Sequence, residues 1–448
     1  MELKQFVFIT SITALTACGG GSSGDKQTTP ANGGGNSVTP PSAAPKLILE
    51  TVQYNYCDIE SPLAGAEVLI HDAQGSIVKS VQTDSLGKLQ TDWPANAAHV
   101  SVIGQGSSGN RGRTAIESLL NTGAMDLGVI KFANTNDHSG CDCRTITLNA
   151  GDLAATFDGY EMKAAQRFAW LSSYTELNVE VCSSDEYVDV TLKSETFREA
   201  FAAKVPVGQE DTIYLRKEHF TSTGIPIEAA VSGVIEPDYR TDWFSFSFDG
   251  RSPQWSLVDS EPYFATDLYV FPEMSNQNFL QYSVLKTEYL EDMEIRVYST
   301  VLRRVPSNGQ AGFFEAIYPG QEFLDSFVQL LEGMDTGNTT TYDFSSTDED
   351  LDRFSIYVNA DEANGDEIYW RITAPVSGVM PDLKLQDSLE NRFENADFSR
   401  VRFYLSDYGH SDYEEYLKGA VTASRANSWY EAGMMDNFKG IYLNIRLN

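Results

Sequence analysis

The sequence predicts a mostly β chain, organised as several β-sandwich domains with some inserted helices. Short runs alternate apolar and polar residues, turn residues recur about every ten positions, and aromatics make up 12% of the chain; together these describe sandwiches rather than helical bundles. Apolar content of 42% over 448 residues suffices for two or three buried cores.

The chain begins with Lys4 and an apolar run from Phe6 to Leu15. A membrane span needs about 20 such residues, so the run reads as a secretory segment removed on export. Leu15-Thr16-Ala17-Cys18, followed by Gly19-Gly20-Gly21, resembles the lipobox of bacterial lipoproteins. That resemblance implies a signal peptide over 1–17, lipidation of Cys18 (palmitate among the acyl groups) and attachment to a membrane through it. An ordinary signal peptide that contains a cysteine is the alternative. Within the same resemblance, Gly19 rather than an aspartate implies sorting to the outer membrane, with its face left open. Residues 18–46 are dominated by Gly, Ser, Thr, Asn and Pro and read as a flexible tether with too little apolar surface to order itself. Its Gly20-Gly21-Ser22-Ser23-Gly24 matches G-x-S-x-G in letters only, with no strand before it and no helix after.

Residues 47–133 read as a small sandwich. Leu47, Leu49 and Val52 to Tyr56 supply a first strand, Ile77 to Val81 another, and Val100 and Val102 a further one. Gly65 to Val68, Asp72 to Gly75 and Thr83 to Gly87 form G-x-x-V, D-x-x-G and T-D-x-x-G segments. The run from Pro62 to Val102 resembles the carboxypeptidase regulatory-like domain, a transthyretin-like sandwich. The resemblance covers about a fifth of the chain and implies a spacer or binding fold. The family's later Gly-x-Tyr segment is absent, Asn96-Ala97-Ala98-His99 standing in its place. No histidine is followed by the H-x-x-E glutamate that a zinc peptidase of this name needs.

Cysteines support an oxidising compartment. Apart from Cys18 there are Cys57, Cys141, Cys143 and Cys182, and an even remainder in an exported chain reads as two disulfides. Cys141 and Cys143 are poorly spaced to bond each other, so one is expected to reach back to Cys57 and the other forward to Cys182, fastening the first domain to the second. A metal site from Asp137, His138, Cys141 and Cys143 is the rival reading, without the paired spacing of zinc ligands.

Residues 134–250 read as a β-rich domain with helix at Leu153–Leu171 and a second helical stretch at Thr196–Lys204. A boundary is expected at Asp249–Pro253. Residues 251–448 read as a further β-rich domain with a helical stripe at Phe323, Phe327, Leu330, Leu331 and Met334, a helix-compatible stretch from Asp412 to Phe438 and a closing strand from Gly440. Val231-Ser232-Gly233-Val234 with Pro237-Asp238 recurs as Val376-Ser377-Gly378-Val379 with Pro381-Asp382, each preceded by an Ile-Tyr pair (213–214 and 356–357); a duplicated module would explain this, and so would chance.

A net charge of −32 excludes nucleic acid as an expected partner. No strong catalytic signature is present. His99, alternating with Val100 and Val102, reads as pointing to solvent from a strand, and His219 and His410, in polar settings, read as structural or solvent-facing. Asp348, Asp350 and Asp352 alternate along one segment and are the candidate calcium ligands, although Arg353 and Asn359 stand where an EF-hand needs glycine and glutamate. Asp361-Glu362 and Asp366-Glu367 flank Asn364-Gly365 as a charged hairpin turn. Trp243, Trp255, Tyr263 and Trp370 offer either a sugar-stacking platform or core packing. The leading expectation is a non-catalytic binding or assembly protein of the envelope with a protein or glycan ligand and no cofactor beyond calcium; a carboxylate-based glycan hydrolase and a passive spacer are the alternatives.

Overall fold

The computed structural model describes residues 45–446 apart from 166, 233–234, 236–237, 249–252, 260–262, 266, 291–292, 316 and 336–338; the signal segment, Cys18 and the tether up to residue 44 lie outside the described residues. The described chain is mostly β, with three α-helices.

The first strands are β1 (Lys46–Tyr54), β2 (Glu60–Pro62), β3 (Glu67–Asp72), β4 (Ile77–Gln82), β5 (Lys88–Asp92), β6 (Ala97–Ser108), β7 (Arg111–Leu119) and β8 (Asp126–Ala133). β1 alternates, with Leu47 and Leu49 buried between exposed Lys46 and Ile48. It pairs with β2, β5 and, in parallel, β8. This sheet packs on β3, β6 and β7 through Leu47, Leu49, Val68, Ile70, Val100, Val102 and Phe132. The turn motifs have a clear local cause. Asp72 Oδ1 accepts from the backbone N–H of Gln74 and Ser76 at 3.0 and 2.9 Å, and Asp84 Oδ1 from those of Leu86 and Lys88 at 2.8 Å, the usual work of aspartate in a turn.

Gly75, at φ +90°, closes the first of these turns, and its carbonyl accepts from the N–H of Lys384 at 2.9 Å. A Cβ here would lie 2.2 Å from the Asp382 carbonyl oxygen. Gly75→Ala is therefore expected to lower unfolding stability by about 2 kcal/mol or more, left-handed backbone alone costing about 1–2 kcal/mol in an L-residue. Urea titration of the variant checks it.

The middle of the chain carries β9 (Arg144–Asn149), β10 (Glu161–Ala164), β11 (Arg167–Trp170), β12 (Glu176–Val181), β13 (Tyr187–Ser194), β14 (Glu199–Pro206), β15 (Thr212–Tyr214) and β16 (Ser222–Thr223). They form a five-stranded and a three-stranded sheet around Ile146, Leu148, Met162, Val190 and Leu192. The helix expected at Leu153–Leu171 is not formed. After a 3₁₀ turn at Gly151–Leu153 the chain reverses at Gly159 (φ +77°) and Ala165 (φ +49°), and β10 buries Met162 and Ala164 at period two. The stretch Thr196–Lys204 is also not helical: Arg198 (φ +50°) turns the chain into β14, which pairs along β13.

Next come β17 (Ile225–Pro226), β18 (Glu228–Val231), β19 (Arg240–Phe248), β20 (Pro253–Asp259), β21 (Tyr269–Val270), β22 (Asn278–Leu290), β23 (Met293–Arg304) and β24 (Gln310–Phe314). The last elements are α1 (Gln321–Asp335), β25 (Thr340–Asp343), β26 (Arg353–Asp361), β27 (Glu367–Pro375), β28 (Ser377–Met380), α2 (Asp387–Glu394), β29 (Asp397–Asp407), α3 (Tyr413–Arg425) and β30 (Asn437–Arg446). α1 matches the expected stripe, seating Phe323, Phe327 and Leu330 against Phe354 and Phe403.

Twelve strands form one sheet in the order β20-β19-β22-β23-β30-β29-β26-β27-β7-β6-β3-β4. Two features of it depart from the expected domain plan. The boundary near residue 250 falls between β19 and β20, which are antiparallel partners. The first sandwich continues into the C-terminal strands, because β7 pairs in parallel with β27 from Arg113↔Glu367 to Leu119↔Thr373. The internal echo lies in unlike surroundings. β18 pairs in parallel with β24 while β28 pairs antiparallel with β25, and Ile213-Tyr214 sits in an edge strand while Ile356-Tyr357 lies inside the long sheet. Residues 233, 234 and 237 of the first copy lie outside the described residues.

Candidate functional site

Both disulfides form, as Cys57–Cys141 and Cys143–Cys182. The first joins the N-terminal sandwich to the segment leading into β9. The second is internal to the middle region, linking the residue before β9 to the residue after β12, so only one of the two bridges the regions. Tyr56 stacks near His138 at 4.4 Å between ring centroids. Both cysteines of the rival metal site are consumed in disulfides.

Asp348, Asp350 and Asp352 do not converge. Among the described residues, the one group of three possible ligands within 4.8 Å of one another is Cys143, Glu180 and Cys182, two of them bonded to each other. Instead Lys439 Nζ stands 2.5 Å from Asp350 and 3.9 Å from Asp348, a lysine where a cation was expected. Asp352 points inward and is 5% exposed. Burial, aided by the nearby Asp407 charge, pushes its carboxyl up to about 7 although Arg353 opposes this. Asp407 is raised too, again chiefly by burial. This is a buried carboxylate pair, not an open cleft.

The histidines also divide differently from expectation. His99 does not face solvent: it is 3% exposed, its Nδ1 accepts from the Asn121 N–H at 3.0 Å, and burial lowers its pKa. His71, unremarked in the sequence, is fully buried. It lies 3.1 Å from the Gly75 carbonyl and 3.0 Å from Ser101 Oγ, in a chain that continues to Ser118 and Trp370 Nε1. Of the aromatic candidates, Trp243 is fully buried against Tyr282 and Phe314, Trp370 is tied to Ser118, and Tyr263 is 44% exposed. The Trp255 side chain lies outside the described residues.

A different group of residues is brought together by the long sheet. On β26, β29 and β30 one face is apolar (Phe354, Ile356, Phe403, Leu405, Ile441, Leu443) and packs under α1. The opposite positions include tyrosine, arginine and asparagine beside Ser355, Ser406 and Gly440. Strand register aligns Arg371, Tyr357, Arg402, Asn444 and Arg296 in one row across β27, β26, β29, β30 and β23. Tyr404, Tyr442 and Tyr298 form the neighbouring row. All eight are partly exposed. Tyr404 stacks on Tyr442 at 4.4 Å and Tyr442 on Tyr298 at 5.4 Å. Their faces cover each other, so edges and hydroxyls are what they offer. Tyr357 lies between the guanidinium groups of Arg371 and Arg402, at 5.9 and 5.5 Å, within cation–π range.

The row is braced from within the same sheet, where Glu117 on β7 is the register partner of Arg371. Glu117 Oε2 holds Arg371 Nε at 2.6 Å, and Glu367 holds Arg113 at 3.2 Å and receives the Asn359 amide, whose oxygen accepts from Arg402 at 3.0 Å. Burial raises the Glu117 pKa, opposed by Arg371. The sequence signal for this face is period-two spacing: Arg296-x-Tyr298, Tyr369-x-Arg371, Arg402-x-Tyr404, Tyr442-x-Asn444. What joins them is a strand order that no local pattern encodes.

No protein-family model matches the chain, and no curated protein matches it. A solved structure of the Bacillus anthracis TIE protein is similar at 11% identity with a TM-score of 0.14, over 60% of this chain and 50% of that one. A likeness of that size carries no argument about fold or function.

Proposed function

We propose that the chain is a lipid-anchored protein of the bacterial envelope, held at the outer membrane through Cys18, and that it binds its ligand without catalysis. The observation that carries the binding half is the tyrosine–arginine face of the long sheet. Tyrosine and arginine are the side chains most enriched where binding energy concentrates, and here they are pre-arranged on strands rather than loops, which lowers the ordering cost of binding. The anchor half rests on Leu15-Thr16-Ala17-Cys18 and the glycine-rich tether. Glycan hydrolysis draws its support from the raised carboxyl of Asp352 beside Asp407, but both are buried, 5% and 6% exposed, whereas such chemistry needs two carboxylates lining a substrate cleft.

In cells of a diderm bacterium, the full chain is expected to incorporate labelled palmitate and to fractionate with the outer membrane, and Cys18→Ser to lose both. Crosslinking in the intact envelope is expected to give a discrete product that Tyr442→Ala with Arg402→Ala abolishes. A product indifferent to those substitutions, together with glycan cleavage lost in Asp352→Asn, would overturn the binding reading in favour of a hydrolase.

A further inference from the structure

We infer that the ligand of this face is a linear anionic polysaccharide carrying about one carboxylate or sulfate per disaccharide, laid across the strands along the arginine row. The inference rests on the binding reading above and gives it a substrate class.

Charge is the first argument. In a chain of net charge −32, this face gathers Arg371, Arg402 and Arg296 in one register row, with Arg400 on the same side of β29 and Glu117, paired to Arg371, closing the row on β7. Screening confines surface fields to about 8–10 Å at physiological salt, so a ligand in contact meets chiefly the groups of this row, in which the one acidic register member, Glu117, is held by Arg371. Guanidinium forks match carboxylate and sulfate oxygens bidentately. Arg371 and Arg402 each hold one protein partner through part of their donor set, which fixes their direction and leaves other N–H groups of the five per guanidinium.

Spacing is the second. The three arginines of the row stand on β27, β29 and β23, with β26 between the first two and β30 between the last two. Adjacent strands lie about 4.8 Å apart, which puts the charges about 10 Å apart. An extended acidic peptide presents same-side carboxylates about 6.7 Å apart and falls out of step after one contact. A glycan charged on alternate sugars repeats on the longer scale. The sheet also twists by about 20–25° per strand, so the row winds, and a chain with rotatable glycosidic bonds follows it where a rigid acidic helix does not.

The tyrosines supply the third. Tyr404 and Tyr442 are stacked on each other, so sugar rings do not lie on their faces. They stand on the register row next to the arginines, and tyrosine hydroxyls suit the hydroxyl-rich edge of a sugar chain.

The test uses the full chain in detergent, with hyaluronan as the probe (one carboxylate per disaccharide), neutral dextran, and polyglutamate. Hyaluronan is expected to bind with an affinity that falls as salt rises, dextran to show no binding, and polyglutamate to bind at least tenfold more weakly. Arg402→Gln with Arg296→Gln is expected to reduce hyaluronan binding by tenfold or more, and Tyr442→Phe, which keeps the ring, by a few-fold, with unchanged melting temperatures marking intact folds. Preference for polyglutamate would replace the glycan by an acidic protein partner. Equal binding of dextran, or hyaluronan binding unmoved by the arginine substitutions, would overturn the charge-row assignment. If no polymer binds while the envelope crosslink persists, the ligand class is wrong and the binding function stands; if the crosslink also fails, both fall.

Discussion

Asp352→Asn is expected to stabilise the protein at pH 8 by up to about 4 kcal/mol and to do almost nothing at pH 4. The carboxyl is 5% exposed, and no donor among the described residues meets its Oδ1. Its folded pKa of about 7 stands some three units above the ordinary 3.8, at about 1.4 kcal/mol per unit. Between about pH 4 and pH 7 the folded state binds a proton that the unfolded state has released, so stability falls as pH rises through that window and the full penalty is present above pH 7. Asparagine keeps the shape and removes the ionisation. Urea titrations of wild type and variant at pH 4 and pH 8 check it: a difference that does not grow with pH would show that Asp352 is ionised without cost in the fold. Because other carboxylates titrate in the same range, the variant-minus-wild-type difference is the quantity to read.

Replacing Cys57 and Cys141 together by serine is expected to lower unfolding stability by about 4.5 kcal/mol, the chain-entropy figure for a loop of this length. The bridge spans 84 residues and encloses the whole first sandwich from the end of β1 onward. The Cys143–Cys182 bridge closes only 39 residues, so on the same relation its removal is expected to cost less, by about 0.7 kcal/mol. Denaturant midpoints of the two double variants under oxidising conditions give the order, and a larger loss from the shorter loop would reverse the argument.

Local features were legible where a short pattern has a local cause. Asp72 and Asp84 turn the chain because an aspartate caps its own following N–H groups, the stripe from Phe323 to Met334 forms α1, and cysteine spacing pointed to both disulfides. Leu153–Leu171 misled because Leu153, Phe157 and Tyr160 are core residues that fit a helical period while sitting in a 3₁₀ turn, a bend and a reversal. The alternation of His99 with Val100 and Val102 suggests a solvent face, whereas the face it shares with His71 and Ser101 is buried as well. The tyrosine–arginine face was illegible for a different reason. Each strand shows its alternation, but the order β27-β26-β29-β30-β23 comes from contacts far apart in sequence, and only that order turns scattered pairs into a row.

The parallel pairing of β7 with β27 also governs assembly. Residues 111–119 pair with a strand about 250 residues downstream, so as the chain is made the N-terminal sandwich has one sheet edge open until that strand emerges. Non-local pairing of this kind is slow, and an unpaired edge invites intermolecular strand addition. Both cysteines of the Cys57–Cys141 bridge precede that partner in the chain, so the bridge needs none of the later strands to link the end of β1 to the segment after β8. Folding of this chain is thus a problem of timing, in which the first sandwich is complete in sequence long before the strand that covers its edge.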